Sequence, residues 1–235
     1  TADEAVASHI KNGDKIWLGG LSVADKVLSC VIEKVKQGAL ENIDFYGNMT
    51  MDDIGLADKD IPADKFRYHA FFYGGYEREG CKNGVVTNVP LHLSRFEDYV
   101  SYIDPDVAVV PMTPPNEQGF CNIGPAGYSP SGLNHAKKII AQINKNIPRV
   151  YGSSHDYHVN DIAAFVECHK DELMPSSQPP TATEEKIASY ILERIPDGAC
   201  IQLGIGGTAN AVGFGLKDKK HLGIHSEMYT DSMAY

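Results

Sequence analysis

The chain has 235 residues, is 43% hydrophobic and 22% charged, and carries a formal net charge of −10. That is the composition of a globular protein with an ordinary core, and its acidity argues against nucleic acid or an anionic membrane as the main partner. No apolar run reaches the roughly 18 residues of a membrane span, and Thr1–Glu4 shows no secretory signal, although a chain trimmed before position 1 would hide one. The cysteines, Cys30, Cys81, Cys121, Cys168 and Cys200, are scattered without C-x-x-C spacing, which reads as reduced thiols in a cytoplasmic protein.

In chain order, residues 4–12 have helical spacing and Gly13-Asp14 turns the chain. Lys15–Leu18 reads as a strand, Gly19-Gly20 as a loop, and Ser22–Gln37 as a helix with Val23, Val27, Val31 and Val35 on one face, closed by Gly38. Asn42–Tyr46 is the next strand, so the chain opens as the start of a parallel α/β sheet. Phe71–Tyr76 reads as an aromatic strand and turn, Val85–Val89 as a strand, and Asp106–Val110 as a parallel strand buried on both faces. Pro114–Gly119 is a tight turn with Phe120–Ile123 returning from it. Gly124–Gly132 is loop, Leu133–Lys138 helix and Lys138–Ile143 strand. Ser176–Pro180 is the clear linker.

Beyond the linker the opening repeats. Val6–Ile10 resembles Ile187–Ile191, and Asn12–Gly19 resembles Asp197–Gly204 at an offset of 198 − 13 = 185. Val23–Val27 then matches Thr208–Val212, and the following strands end at Asn48-Met49 and Glu227-Met228. This pattern predicts a tandem duplication of an open, mostly parallel α/β domain of roughly 180 residues. The expected organisation is a first domain at 1–175, a linker at 176–180 and the start of a second domain at 181–235. Two strands without cover do not make a stable domain, so the expectation is that this chain needs the rest of its second domain.

The stretch richest in chemistry is Cys200–Val212: a short strand, the turn Gly204-Ile205-Gly206-Gly207, and the start of a helix. Glycines there bring backbone close to a ligand, and the first N–H groups of a helix favour negative charge. A second strand, His221–His225, leads to Glu227, so a carboxylate and an N–H-lined turn share a sheet rim. Two chemistries fit. Gly204-x-Gly206-x-x-Ala209 matches a loose dinucleotide fingerprint, with Glu227 placed 227 − 206 = 21 residues on as a ribose-binding acid. Alternatively, Glu227 is a carboxylate nucleophile facing an oxyanion hole. The duplication favours the second, because Asn48 stands where the other copy has Glu227, and Gly19–Ser22 has lost the fingerprint.

Other candidates have plainer explanations. His155-x-x-His158 suggests a metal pair, but its neighbours favour loop or strand, where residues three apart face opposite sides. Glu184-Glu185 is helix-start charge and capping, and Lys217–Lys220 is a solvated turn with nucleotide phosphate as the alternative. Gln118 lies in a turn at a sheet rim, where turn chemistry explains Gly119 and the prolines, and a substrate-facing role is the competing reading.

Gln202–Gly206 followed by Leu222–Met228 resembles the acetyl-CoA hydrolase/transferase family of CoA-transferases, in its 4-hydroxybutyrate and butyryl-CoA:acetate branch. Val89–Ser94, Pro114–Phe120, Ala141–Asn144 and Pro148-Arg149 support it; Gly207-Thr208 departs from the family's usual Ile-Pro-like pair. The resemblance implies two similar α/β domains, Glu227 as nucleophile, and oxyanion and CoA contacts at Gly204, Ile205, Gly206 and Gly207. Gln118, from its turn at a sheet rim, and Asn48, from its place opposite Glu227 in the duplication, are the expected substrate-pocket residues. The resemblance implies a ping-pong transfer of CoA between acetyl-CoA and a short acid, with 4-hydroxybutyrate or butyrate favoured, as in fermentative short-chain fatty acid metabolism. The expected intermediate is a glutamyl-CoA thioester. It implies no metal and no tightly bound cofactor, coenzyme A entering as substrate, and possible homo-oligomers. The alternatives are an acetyl-CoA hydrolase using the same site, a dinucleotide-binding oxidoreductase, and a CoA-binding module without catalysis.

Overall fold

Alternating apolar strands separated by amphipathic helices build a parallel sheet in the first of two units. The structure is a computed structural model that describes residues 1–125, 129–172 and 179–234, and the chain divides into Thr1–Leu173 and Met174–Tyr235. The first unit runs α1 (Ala2–His9), β1 (Lys15–Leu21), α2 (Asp25–Lys36), β2 (Ile43–Thr50), β3 (Phe66–Ala70), α3 (Gly75–Lys82), β4 (Val86–Asn88) and α4 (Phe96–Ile103). It continues with β5 (Val107–Met112), β6 (Phe120–Asn122), α5 (Ser129–His135), β7 (Lys138–Ile143), β8 (Asp156–His158) and β9 (Ala164–Glu167). The seven-stranded sheet has the order β4-β3-β2-β1-β5-β7-β9, with every neighbouring pair parallel. β6 and β8 form a separate antiparallel ribbon.

Strand alternation sorts the core into two layers. Ile16, Leu18, Phe45, Tyr68, Val107 and Val109 pack with the apolar stripe of α2 (Val27, Leu28, Val31, Ile32, Val35) on one face. Trp17, Ala108, Val110 and Met112 pack with Phe96 and Val100 of α4 and Leu133 of α5 on the other. All six residues of β5 are buried, as its unbroken apolar run requires of a strand covered on both faces.

Several boundaries differ from the sequence reading. The first helix occupies Ala2–His9 rather than 4–12. Gly19 and Gly20 lie inside β1, not in a loop. The pairing with β2 shifts register there, and a Cβ on Gly20 would fall 2.5 Å from Cβ of Asn48. Helix α2 starts at Asp25 rather than Ser22. Phe71–Gly74 is irregular and leads into α3 instead of forming a strand. Helix α4 was not anticipated. Helix α5 begins at Ser129, within the expected 124–132 loop, and ends at His135; Ala126–Tyr128 lie outside the described residues.

The second unit contains α6 (Ala182–Leu192), β10 (Cys200–Ile201), α7 (Gly207–Gly215), β11 (Gly223–Ile224) and α8 (Asp231–Ala234). Its core is Ala188, Leu203, Ala211, Val212 and Leu216, with Leu192, Ile195, Ile201, Leu222 and Met233 against it. Ser176–Gln178 of the expected linker lie outside the described residues. Among the described residues no helix is long and apolar enough to cross a membrane.

Candidate active site

The two units share a strand register. In the first, Lys15 pairs with Asp44 and Ile16 with Phe45. In the second, Cys200 pairs with Gly223 and Ile201 with Ile224, also in parallel. Lys15 and Cys200 are equivalent by the 185-residue offset, so Asp44 and Gly223 are equivalent by pairing. Four residues beyond each stand Asn48 and Glu227. Geometry therefore reaches the same equivalence as sequence matching did.

Beyond β10 the chain buries Leu203 and turns through Gly204–Gly206 into α7. Gly206 has φ 134° and ψ 165°, a region essentially reserved for glycine. As the N-cap of α7 it has no side chain to fold back onto the first N–H groups of the helix. Gly204, Ile205 and Gly206 are exposed, Ile205 by 77%. On the neighbouring strand, the His225 amide donates to the Ile201 carbonyl at 3.0 Å. Ser226 Oγ donates to the Leu203 carbonyl at 3.1 Å. These bonds stitch the segment carrying Glu227 to the residue that opens the glycine turn.

Glu227 is exposed, three residues beyond β11. A concavity of about 600 Å³ lies on the glycine turn, lined by Ile201–Ala209, Val212, Ile191, Ile195 and Glu184. Glu227 stands outside that lining. Glu184 belongs to a capping box: Thr181 N and Oγ1 donate to its Oε2 at 2.7 and 2.8 Å. These bonds hold its carboxyl below the ordinary glutamate value.

The first-unit candidates are placed differently. Asn48 is 9% exposed at the end of β2, and its Oδ1 accepts from the Met49 amide at 3.0 Å. Tyr68 Oη donates to its carbonyl, and burial drives that phenol's pKa well above the ordinary value. Glu77, which sequence reasoning passed over, is fully buried and fixes the same corner: Thr50 N donates to its Oε1 at 2.8 Å and Gly74 N to its Oε2 at 2.9 Å. Its three-residue spacing from Gly74, as in a capping box, was the available signal. Gln118 is exposed on its turn, its amide donating to Asn116 Oδ1 at 3.1 Å. His155 ends a 3₁₀ turn and His158 ends β8. Their rings are engaged locally, His155 with Ser154 Oγ and His158 accepting from Asn160 N.

Residues 1–176 match the model of the acetyl-CoA hydrolase/transferase N-terminal domain. The chain belongs to the acetyl-CoA hydrolase/transferase family. Among curated family members it is 35% identical to a butyryl-CoA:acetate CoA-transferase of Anaerostipes caccae, over 99% of this chain and 53% of that protein. It is 37% identical to a 4-hydroxybutyrate coenzyme A transferase of Clostridium kluyveri, over 72% of this chain and 40% of the relative. Among solved structures, RipA from Yersinia pestis shares the fold at TM-score 0.90 and 24% identity, covering all of this chain and 57% of its own. A 4-hydroxybutyrate CoA-transferase from Porphyromonas gingivalis does so at TM-score 0.74 and 24% identity, covering all of this chain and 55% of that one. The chain thus spans about half the length of the curated relative that it matches along nearly its whole length.

Proposed function

We propose that the protein transfers CoA between an acyl-CoA and a short carboxylic acid, with Glu227 as the nucleophile. The observation that carries this reading is the shared register. Counted from it, Glu227 follows a short strand, next to Ser226 that bonds to the residue before the glycine turn, at the position where the other copy has a carboxamide. The names of the family relatives, butyryl-CoA:acetate and 4-hydroxybutyrate transferases, support the reaction class.

A carboxylate oxygen of Glu227 attacks the thioester carbonyl carbon, and the carbonyl electron pair moves onto oxygen. The N–H groups of the Gly204–Gly207 turn stabilise that oxyanion. Collapse breaks the C–S bond, and CoA leaves as thiolate from an acyl-glutamyl anhydride. The thiolate then attacks the glutamyl carbonyl and expels the acyl group as a carboxylate, leaving a glutamyl-CoA thioester. An acceptor acid runs the steps in reverse, so no redox partner and no net loss of thioester energy is involved. A carboxylate is a weak nucleophile, so binding energy from the remote CoA handle supports the chemical step. Water has to be kept from both intermediates. Gln118, exposed on its turn, remains the first-unit candidate for contact with the acid. Asn48 is buried and already bonded to its neighbour, which suits a scaffold role. Five free cysteines fit a reducing, cytoplasmic setting, and the relatives' names fit short-chain fatty acid metabolism.

The test is product analysis with the protein at its natural length, mixing acetyl-CoA with 4-hydroxybutyrate, butyrate, succinate or propionate in turn. New acyl-CoA should form faster than free thiol. If thiol appears at the same rate with and without an acceptor acid, the site is a hydrolase.

A further inference from the structure

The capping glutamate of α6 sits against the glycine turn. A Cβ built on Gly207 would fall inside the carboxylate of Glu184, 2.5 Å from Cδ and 2.8 Å from Oε2, and closer still to Oε1. Glu184 is half-buried and lines the concavity on the turn. Its Oε2 is committed to Thr181, while Oε1 lies on Gly207. At the other end of α7, a Cβ on Gly215 would collide with the Leu192 side chain, again on α6. Helix α7 is therefore laid flush on α6 by a glycine at each end, and Glu184 sets the end that opens into the turn.

The first unit supplies the control. It opens with the same capping box, Thr1 and Glu4. There Glu4 is exposed, and the residue matching Gly207 is Ser22, outside any helix. The cap alone thus requires neither a buried carboxylate nor a glycine opposite it. The contact belongs to the copy that carries Glu227.

We propose that Glu184 is a positioning residue: by occupying the space of a Cβ at 207 it fixes the height of the Gly204–Gly207 turn, and hence of the N–H groups that meet the thioester oxygen. This rests on the CoA-transfer reading for its kinetic consequence, but the packing relation stands independently of it. Displacing such donors by about an ångström costs on the order of 10–100-fold in turnover while leaving binding of the distant CoA handle intact.

The experiment is a double-mutant cycle in the protein at its natural length, reading kcat, KM for acyl-CoA and the thermal midpoint. Gly207→Ala should lower kcat by roughly 5–10-fold with KM moved less than about twofold, because the carboxylate end of Glu184 can swing partly clear of the added methyl. Glu184→Ala should lower kcat by about fivefold, and the double variant should match Glu184→Ala, because the methyl then enters vacated space. Thr181→Ala removes a cap partner but leaves the carboxylate on Gly207, so it should keep kcat within about twofold. Multiplying single losses in the double variant, or a Thr181→Ala enzyme as slow as Glu184→Ala, would overturn the proposal. If Gly207→Ala is insoluble, recovery of soluble double variant supports the proposal and failure to recover it overturns it. If the wild-type protein moves no CoA, the transfer reading fails. The cycle is then read in thermal midpoints, where additive losses overturn the packing relation and relief in the double variant supports it.

Discussion

In the first unit the start of α2 is filled from inside the fold. Gln142, fully buried on β7, accepts from the amides of Lys26 and Val27 at 3.0 and 3.3 Å, and Asp52 accepts from that of Val23 at 2.9 Å. Side chains from β7 and from the bend after β2 take N–H groups that would otherwise open the helix, and α2 begins one turn late, at Asp25. In the second unit the matching helix begins at Gly207, the equivalent of Ser22, with a bare glycine as its cap and an exposed turn before it. One unit spends its rim on cohesion and the other leaves its rim open. Duplicated backbones with the same register in one strand pair thus diverge through a handful of side chains beyond the strands.

The sharpest way to break this contrast is at the carboxylate that stands where the first unit has Asn48. Glu227→Gln in the full-length protein should lower turnover on the order of 10³-fold or more while sparing CoA affinity. Glu227→Asp should also fail, because the attacking oxygen retreats by roughly 1 Å. Intact-mass analysis with acyl-CoA and no acceptor should locate a CoA adduct on Glu227. An adduct mapping to Cys200 or Cys121, or normal turnover by Glu227→Gln, would return this acid to the ribose-binding reading.

The cohesive side of the comparison is tested next at Glu77. Glu77→Ala leaves the buried Thr50 amide and the half-buried Gly74 amide without their acceptor, and should cost about 2–4 kcal/mol in a urea melt. Glu77→Gln retains one acceptor oxygen and should cost less than half of that. Gln142→Leu strips the acceptor from Lys26 and Val27 and should cost about 2–3 kcal/mol. If it leaves stability unchanged, α2 does not need its internal plug and the contrast between the units loses its physical basis.

The smallest expected effect is a pH dependence. Lys170 bridges Asp52 and Asp25, the latter at 2.9 Å. Burial works against its ammonium, but the hydrogen bonds to Asp52 and Asp25 and their charges hold its pKa above the ordinary 10.5. A raised pKa means that the folded state binds this proton more tightly. The stabilisation is therefore complete below pH 10.5 and is lost as pH rises through the higher folded value. Lys170→Arg keeps its charge there, so the gap between its thermal midpoint and that of the wild type should shift in its favour only above that pH.

How legible these features were in the sequence depended on whether local pattern and tertiary demand agreed. Strand β7 occupies the expected Lys138–Ile143, and β5 is buried on both faces as its unbroken apolar run required. Helix α3 was missed because glycines at 74, 75 and 80 speak against a helix. Gly80 is required by packing, since a Cβ there would strike Val86, and no window of local sequence shows that. Helix α4 was readable: Phe96, Val100 and Ile103 recur at helical spacing and are its buried residues. The extension of β1 through Gly19-Gly20 was hidden for the same reason as α3, the glycines answering to Ser129 and Asn48 rather than to a turn. At the candidate site, the glycine turn and Glu227 were singled out by a strand–glycine turn–helix pattern and the short strand before the acid, and the duplication added the contrast with Asn48. The acceptors that close the first unit's rim come from residues more than 100 positions away in the case of Gln142, beyond the reach of any local motif.

Leu21 and Gly206 occupy equivalent positions, and both have positive φ, 64° and 134°. Leucine gains nothing from that conformation and is strained in it by about 1 kcal/mol or more. A positive φ held by so unsuitable a residue is imposed by the packing around it rather than by local preference. The first unit thus carries a positive-φ backbone at the position where the second has its glycine cap. Placing glycine at 21 and a carboxylate at 48 is where an engineer copying the second unit's rim into the first would begin.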